Sequence, residues 1–197
     1  MKAHERSKPK GDFIEKKKYY SKRHKIYCIK TQVLVTPLGF CIQQSSGYNG
    51  GKHDYKIAEE TAHELKEILG PNRLLAPINY HGHLEGINKE IPYRKPRNDT
   101  LTDVQDLYNK ELGHFRVIVE NFFACVSKFK FMAERYDYKV EDYSKWIDFG
   151  YSLVNYCNSL HPIRAEPDVG PQFIDEQFVG ASPVRVVPAE GAVAEPE

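Results

Sequence analysis

The pattern of apolar and polar positions along the chain predicts six elements of secondary structure. Runs of β-branched and aromatic residues predict strands, and apolar residues at three- and four-residue spacing predict helices. In chain order the elements are a strand over 26–36, a strand over 40–44, a helix over 54–69, a short strand over 73–76, a helix over about 103–129 and a helix over about 141–160. This order indicates the α/β class, although many folds share it.

The clearest helix signal begins at Thr102. Thr102 and Gln105 are three residues apart, as in a capping box that satisfies the first free amides of a helix. One apolar stripe follows, which comprises Val104, Leu107, Tyr108, Leu112, Phe115, Val119, Phe122, Val126 and Phe129. We interpret it as a core-facing stripe and not as a platform for stacking bases. In the last helix we expect inward positions at Trp146, Phe149, Leu153, Val154 and Cys157.

Polar stretches without periodicity flank these elements and set the domain boundaries. Residues 1–18 are basic and polar, and we expect a poorly ordered head there. Residues 19–162 contain all the predicted elements and form the expected domain. Residues 163–197 are rich in Pro, Gly, Ala and Glu, a composition that predicts a disordered acidic tail.

Charge is distributed unevenly, although the formal net charge of the 197 residues is only +1. Residues 1–30 contain eleven Lys or Arg against three acids, whereas the last 34 residues contain two Arg against seven acids. A basic segment favours contact with phosphate backbones. It could equally be a solvated flank or a patch of the nuclear-localisation kind.

The cysteines and the hydropathy restrict the cellular location. Four cysteines are scattered among apolar neighbours without a CxxC pair, which argues against a zinc site and favours reduced thiols. The sequence contains no apolar run of about 18 residues and no signal-peptide pattern. We therefore expect no contact with a membrane and an intracellular protein, in the nucleus of a eukaryotic host and otherwise in the cytoplasm.

Five segments together resemble the endonuclease domain of DDE transposases of the Harbinger and related insertion-sequence type. They are Y-Y-S-K-R-H-K-I-Y-C-I-K-T-Q-V-L-V at 19–35, G-Y-N-G-G-K-H-D at 47–54, I-N-Y-H-G at 78–82, I-P-Y-R-K-P-R-N-D-T-L-T at 91–102 and R-V-I-V-E at 116–120. Each segment is weakly diagnostic alone, but their order and spacing are specific. The resemblance implies an RNase H-like fold, a mixed sheet with helices, and metal-dependent cutting and joining of DNA.

The same resemblance implies a site of two Asp and one Glu that holds two divalent ions, Mg²⁺ or Mn²⁺. Glu120 corresponds to the third acid. The second acid falls on Pro77, directly after the strand over 73–76, and Asn79 replaces a Gly two residues later. The first acid belongs on a central strand that we expect to be missing, because residues 1–18 suit such a strand poorly.

Other readings of these residues stay open. Glu120 could be a surface residue paired with Arg116 one helical turn earlier. Asp54 is a candidate metal ligand, and it could also be the N-cap of a helix. We interpret His81 and His83 as parts of a plain loop, because no third ligand lies near them in the sequence.

Basic residues are the candidate DNA contacts. In the N-terminal part they are Lys16, Lys17, Lys18, Lys22, Arg23 and Lys25. Lys128 joins them, because the family has a Lys two turns after its Glu, a position that falls here on Ser127.

The sequence therefore predicts a partial RNase H-like domain with long C-terminal helices, which descends from a DDE nuclease and does not cut DNA. A single carboxylate does not hold two Mg²⁺ ions against their hydration. The expected partners are DNA, bound weakly through the basic head, and a companion DNA-binding subunit. One alternative is a working nuclease that takes acids from Glu5, Asp54, Glu85 or another subunit. The other is a non-catalytic module for binding DNA or protein.

Overall fold

The computed structural model describes residues 1–80, 82 and 84–164 of the chain. Two predictions therefore lie outside the described residues: the plain loop at His81 and His83, and the tail from residue 165 onward. No helix in the described part is long and apolar enough to cross a membrane.

Short strands and longer helices alternate along the described part. The strands are β1 (Lys2–Glu5), β2 (Tyr20–Ser21), β3 (Ile26–Thr31), β4 (Val33–Val35), β5 (Cys41–Gln44), β6 (Tyr48–Asn49), β7 (Leu74–Leu75) and β8 (Lys89–Glu90). The α-helices are α1 (Phe13–Tyr19), α2 (Asp54–Glu60), α3 (Ala62–Leu69), α4 (Asp103–Lys128), α5 (Lys130–Ala133) and α6 (Tyr143–Leu160). Single 3₁₀ turns cover Ile78–Tyr80 and Val140–Asp142. This composition confirms the α/β class.

Strand β3 is the centre of the largest sheet. β1 lies antiparallel to it, with Lys2 opposite Thr31 and Glu5 opposite Cys28. β2 and β6 also pair antiparallel with β3. Two smaller sheets complete the fold, an antiparallel β4–β5 hairpin and a parallel β7–β8 pair.

The expectation that residues 1–18 would be a poorly ordered head without a strand is wrong. β1 pairs with β3 over four residues, and the amide of Tyr136 donates to the carbonyl of Glu5 at 2.8 Å. α1 follows, with its first turn capped by the Asp12 carboxylate, which accepts from the amide of Glu15 at 2.8 Å. β1 was missed because its conformation is set by the strand beside it and not by its own four residues, Lys-Ala-His-Glu.

Two predicted elements are divided in the structure. The strand predicted over 26–36 breaks at Gln32, whose amide donates to Ser45 Oγ at 2.9 Å and whose carbonyl accepts from the Ser45 amide at 3.0 Å. The first predicted helix breaks at Thr61, whose hydroxyl donates to the carbonyl of Ile57 at 3.0 Å. In both places a polar side chain bonds to the backbone and competes with the regular ladder.

The main core lies between β3 and the C-terminal helices. Its buried members are Ile29, Cys41, Phe122, Val126, Met132, Tyr136, Tyr143, Ile147, Tyr151 and Val154. The apolar stripe of α4 is buried in its second half, but Val104 and Leu107 near its start are exposed. On α6 the expected inward positions Phe149 and Cys157 are exposed, because Tyr143, Ile147 and Tyr151 occupy the buried face.

Candidate functional site

Three consecutive polar residues at the end of β3 are buried, and each side chain reaches a different part of the fold. Lys30 Nζ donates to Asp54 Oδ1 at 2.9 Å. Thr31 Oγ1 lies 2.8 Å from Tyr143 Oη at the start of α6. Gln32 Nε2 donates to Thr61 Oγ1, between α2 and α3, at 2.7 Å. Through these three hydrogen bonds the Lys-Thr-Gln segment connects β3 to α2, to α6 and to Thr61 between α2 and α3.

Asp54 lies at the first position of α2, with its carboxylate turned inward. The N-cap of this helix is His53, whose Nδ1 accepts from the amide of Tyr55 at 3.3 Å, so the interpretation of Asp54 as the cap is wrong. The carboxylate is 12% exposed and contacts two cations, Lys30 Nζ at 2.9 Å and Arg23 Nη1 at 3.6 Å. Since both are positive, the single negative charge of Asp54 is fully compensated within the protein.

The strand end that precedes Pro77 adjoins this carboxylate. After β7 the chain passes through buried Ala76 into a 3₁₀ turn, in which the amide of Tyr80 donates to the carbonyl of Pro77 at 2.9 Å. Asn79 Nδ2 then donates to Asp54 Oδ2 at 3.3 Å. The structure thus brings Asp54 next to Asn79, in the segment where the sequence resemblance predicts a second acid.

Glu120 lies on α4, which packs against β7. Its side chain is exposed, beyond the buried positions Ile118 and Phe122. Among the described residues it forms no hydrogen bond or ion pair, and the alternative pairing with Arg116 is not formed. That Glu120 corresponds to the third acid of the family therefore stays a prediction.

The pKa of the Met1 amino group is affected by the charges around Asp54. This pKa is lowered, first by burial; Asp54 is the largest charge effect and opposes this, whereas Arg23, Arg116 and Lys30 lower the pKa further. Arg116 thus belongs to the same electrostatic neighbourhood as Arg23 and Asp54.

The basic residues of the N-terminal part are carried by folded elements. Lys16, Lys17 and Lys18 form the last turn of α1, and a groove of about 360 Å³ beside this turn is lined by Ile14, Lys17, Lys18, Asn49, Gly51 and Lys52. Lys18 pairs with Glu15 at 2.6 Å, and Lys52 pairs with Glu60. Lys22, Arg23 and Lys25 lie in the turn between β2 and β3, and exposed Lys128 ends α4.

Residues 4–155 match the family model of the DDE superfamily endonucleases. The chain belongs to this family. It is also similar to a probable transposase for the insertion sequence element IS702 of Microchaete diplosiphon, with 27% identity over 126 residues, or 61% of this chain. The aligned part spans 43% of that transposase, less than half of its length. No solved structure matches the chain.

In this DDE superfamily endonuclease the donor set of the described residues around Asp54 and Pro77 does not fit a pair of divalent ions. Within the described residues there is no group of three or more His, Cys, Asp and Glu side chains that could hold a metal ion. Asp54 is already bonded to Lys30 and Asn79, and Pro77 offers no donor at the neighbouring strand end. Two Mg²⁺ ions need several converging oxygen ligands with negative charge. Cations surround Asp54 instead.

Lys30 is the site residue that sequence reasoning missed. The motif that contains it was recognised, but Lys30 was counted only among the basic residues of the N-terminal segment. A usable signal was present, because Lys30 lies within a predicted strand, directly after the apolar Cys28 and Ile29. A charge at such a position requires a buried partner of opposite sign.

Proposed function

We propose that this chain is a non-cleaving derivative of a transposase endonuclease domain of the Harbinger and insertion-sequence type, which retains weak contact with DNA. One observation carries the proposal: Asp54, the carboxylate that Asn79 contacts just after the β7 strand end, is held by Lys30, Arg23 and Asn79 and not by other acids. A two-metal nuclease needs the opposite charge at this position, since acids must converge there.

DNA contact is supported by the folded arrangement of the basic residues. Lys17 and Lys18 line a groove together with Lys52, and Arg23 lies at the edge of the Asp54 cluster with 72% of its side chain exposed. Cations that are fixed on a helix and a turn can contact a phosphate backbone with little further ordering. A companion subunit that supplies stronger DNA binding remains part of the proposal.

A plasmid-nicking assay tests the absence of cleavage. Supercoiled DNA is incubated with the protein in Mg²⁺ and, separately, in Mn²⁺, and the wild type is compared with Glu120→Gln. We expect the same background rate from both proteins, because Glu120 alone cannot assemble a two-metal site. Wild-type nicking that Glu120→Gln abolishes would refute the proposal.

One alternative, a working nuclease with substitute acids, is favoured by a specific contact. Asp54 lies within hydrogen-bond distance of Asn79, two residues after the expected acid position. In that case Asp54→Asn would remove wild-type nicking, whereas Glu134→Gln, a change at an exposed acid directly after α5, would leave it unchanged. The two interpretations predict different nicking rates for the wild type. The non-cleaving derivative predicts the background rate, and the working nuclease predicts a rate above background.

A further inference from the structure

The ammonium group of Lys30 is surrounded in the way that a bound cation would be. The Lys30 side chain is only 8% exposed. Its Nζ donates to Asp54 Oδ1 at 2.9 Å and to the backbone carbonyl of Lys52 at 2.7 Å. One carboxylate oxygen and one carbonyl oxygen, from neighbouring positions of the chain, are the kinds of ligand that hard divalent cations take in proteins.

The second oxygen of Asp54 is also occupied from within the protein. Oδ2 accepts a hydrogen bond from Asn79 Nδ2 at 3.3 Å and lies 3.6 Å from Arg23 Nη1. A divalent ion that approached Asp54 would meet the charges of Lys30 and Arg23 before it reached an open ligand. The protein charge at this position repels a metal ion instead of attracting it.

We infer that Lys30 is a built-in cation, which takes the place of a metal ion on Asp54 and makes the junction of β3, α2 and the Asn79 turn independent of divalent metal. The ammonium is attached to the central strand, so it ties the loop at Lys52 and the first turn of α2 to the sheet. This inference concerns ion binding and folding. It can therefore fail or hold whether or not the protein cleaves DNA.

Mn²⁺ binding to the folded wild type tests the first half of the inference. Free Mn²⁺ is measured by its electron paramagnetic resonance signal in titrations of wild type, Asp54→Asn and, as a control, Lys56→Gln. Lys56 forms an exposed pair with Glu59 on the same helix, α2. We expect indistinguishable titrations for all three proteins. A Mn²⁺ site that is present in the wild type and lost in Asp54→Asn would overturn the inference.

Thermal unfolding of Lys30→Gln tests the second half. Loss of the ammonium removes the buried cation from Asp54 and leaves only the exposed Arg23 at 3.6 Å, and we expect the Tm to fall by roughly 10 °C. Millimolar Mg²⁺ should then raise the Tm of Lys30→Gln, because the vacated position accepts a cation, and should leave wild type and the double variant Lys30→Gln/Asp54→Asn unchanged. A Lys30→Gln protein that is as stable as wild type, or that does not respond to Mg²⁺, would contradict the inference. Should Lys30→Gln not fold, the Mn²⁺ titration of wild type and Asp54→Asn decides alone.

Discussion

Thr31 and Tyr143 are joined by a hydrogen bond of 2.8 Å between buried hydroxyl groups that are 112 residues apart in the chain. Thr31 ends the central strand β3, and Tyr143 begins α6. The bond therefore connects the sheet to the last helix directly, at a point where neither hydroxyl can reach water. Burial raises the pKa of the Tyr143 phenol, so that it stays protonated and able to donate.

Removing one hydroxyl of this bond is expected to lower the free energy of unfolding more than removing both hydroxyls. Tyr143→Phe leaves the Thr31 hydroxyl buried without its partner, and we expect a loss of about 1–3 kcal/mol in the free energy of unfolding. The double variant Thr31→Val/Tyr143→Phe should be less destabilised than the sum of the two single variants. Urea unfolding measures all three, and the exposed Tyr156→Phe on α6 is the control. Strictly additive losses would contradict a direct interaction.

A second buried group, His4 on β1, is expected to make stability depend on pH. Burial, followed by the nearby charge of Lys2, lowers the pKa of His4 to about 3, and its Nε2 has no hydrogen-bond partner within the described residues. The rings of Tyr143 and Trp146 pack against it. The unfolded chain binds a proton near pH 6.5 and the folded chain does not, so stability falls as the pH decreases from about 6.5 toward 3.

Between pH 7 and pH 5 this effect should amount to about 2 kcal/mol, since each pH unit below the unfolded pKa contributes about 1.4 kcal/mol. We expect His4→Leu to remove most of the slope in urea unfolding measured across this range. His24→Gln is the matched control. The pKa of His24 is also lowered, by burial first, but its side chain is largely exposed. An unchanged slope in His4→Leu would mean that His4 is protonated in the folded protein.

β1 illustrates why part of the fold could not be predicted from the sequence. The strand at β3, the helix after Thr102 and the α/β class follow from residue types and periodicity, and the structure confirms them. β1 has no such pattern, and its conformation comes from pairing with β3 and from the bond between Glu5 and Tyr136. Local pattern predicts an element only where the element's own residues determine it.

The candidate site was predictable in a similar, partial way. The sequence predicts an altered strand end at Pro77 and Asn79, which stays a prediction, and it gives Asp54 as a candidate ligand; the contact between Asn79 and Asp54 comes from the structure. The partner of Asp54 was not predicted, because Lys30 is 24 residues away and the pairing depends on how β3 packs on α2. The spacing of residues within one motif says little about contacts between residues that are far apart in the sequence.

Weak and salt-sensitive DNA binding is expected from the basic residues of the N-terminal part. The six residues to be changed together to Gln are Lys16, Lys17, Lys18, Lys22, Arg23 and Lys25. Fluorescence anisotropy with a labelled duplex at several salt concentrations should show a lower affinity and a shallower salt dependence, by roughly 0.9 in the logarithmic slope for each lost phosphate contact.

The control for this experiment changes exposed lysines elsewhere in the fold. Lys110, Lys130, Lys139 and Lys145 are all exposed, on or between α4, α5 and α6. Their replacement by Gln should leave the slope nearly unchanged. Lys128→Gln, measured alone, shows whether the end of α4 takes part. Equal losses per removed charge in the six-residue variant and in the four-residue control would mean that binding reflects net charge and not a surface.

The variant Pro77→Asp, which places an acid at the position expected for the second acid of the family, is not expected to restore cleavage. Asp54, which contacts Asn79 in the same turn, is still held by Lys30 and Arg23, and the described residues contain no group of three or more side chains that could hold a metal ion. Two carboxylates close together without a metal ion raise each other's pKa, so one of them would bind a proton more readily. Plasmid nicking by Pro77→Asp should therefore match that of the wild type.

Combining Pro77→Asp with Lys30→Gln frees Asp54, and this double variant should bind Mn²⁺ more tightly than either single variant. Nicking by Pro77→Asp alone would show that Glu5, Asp54 or another acid already fills the position of the first acid.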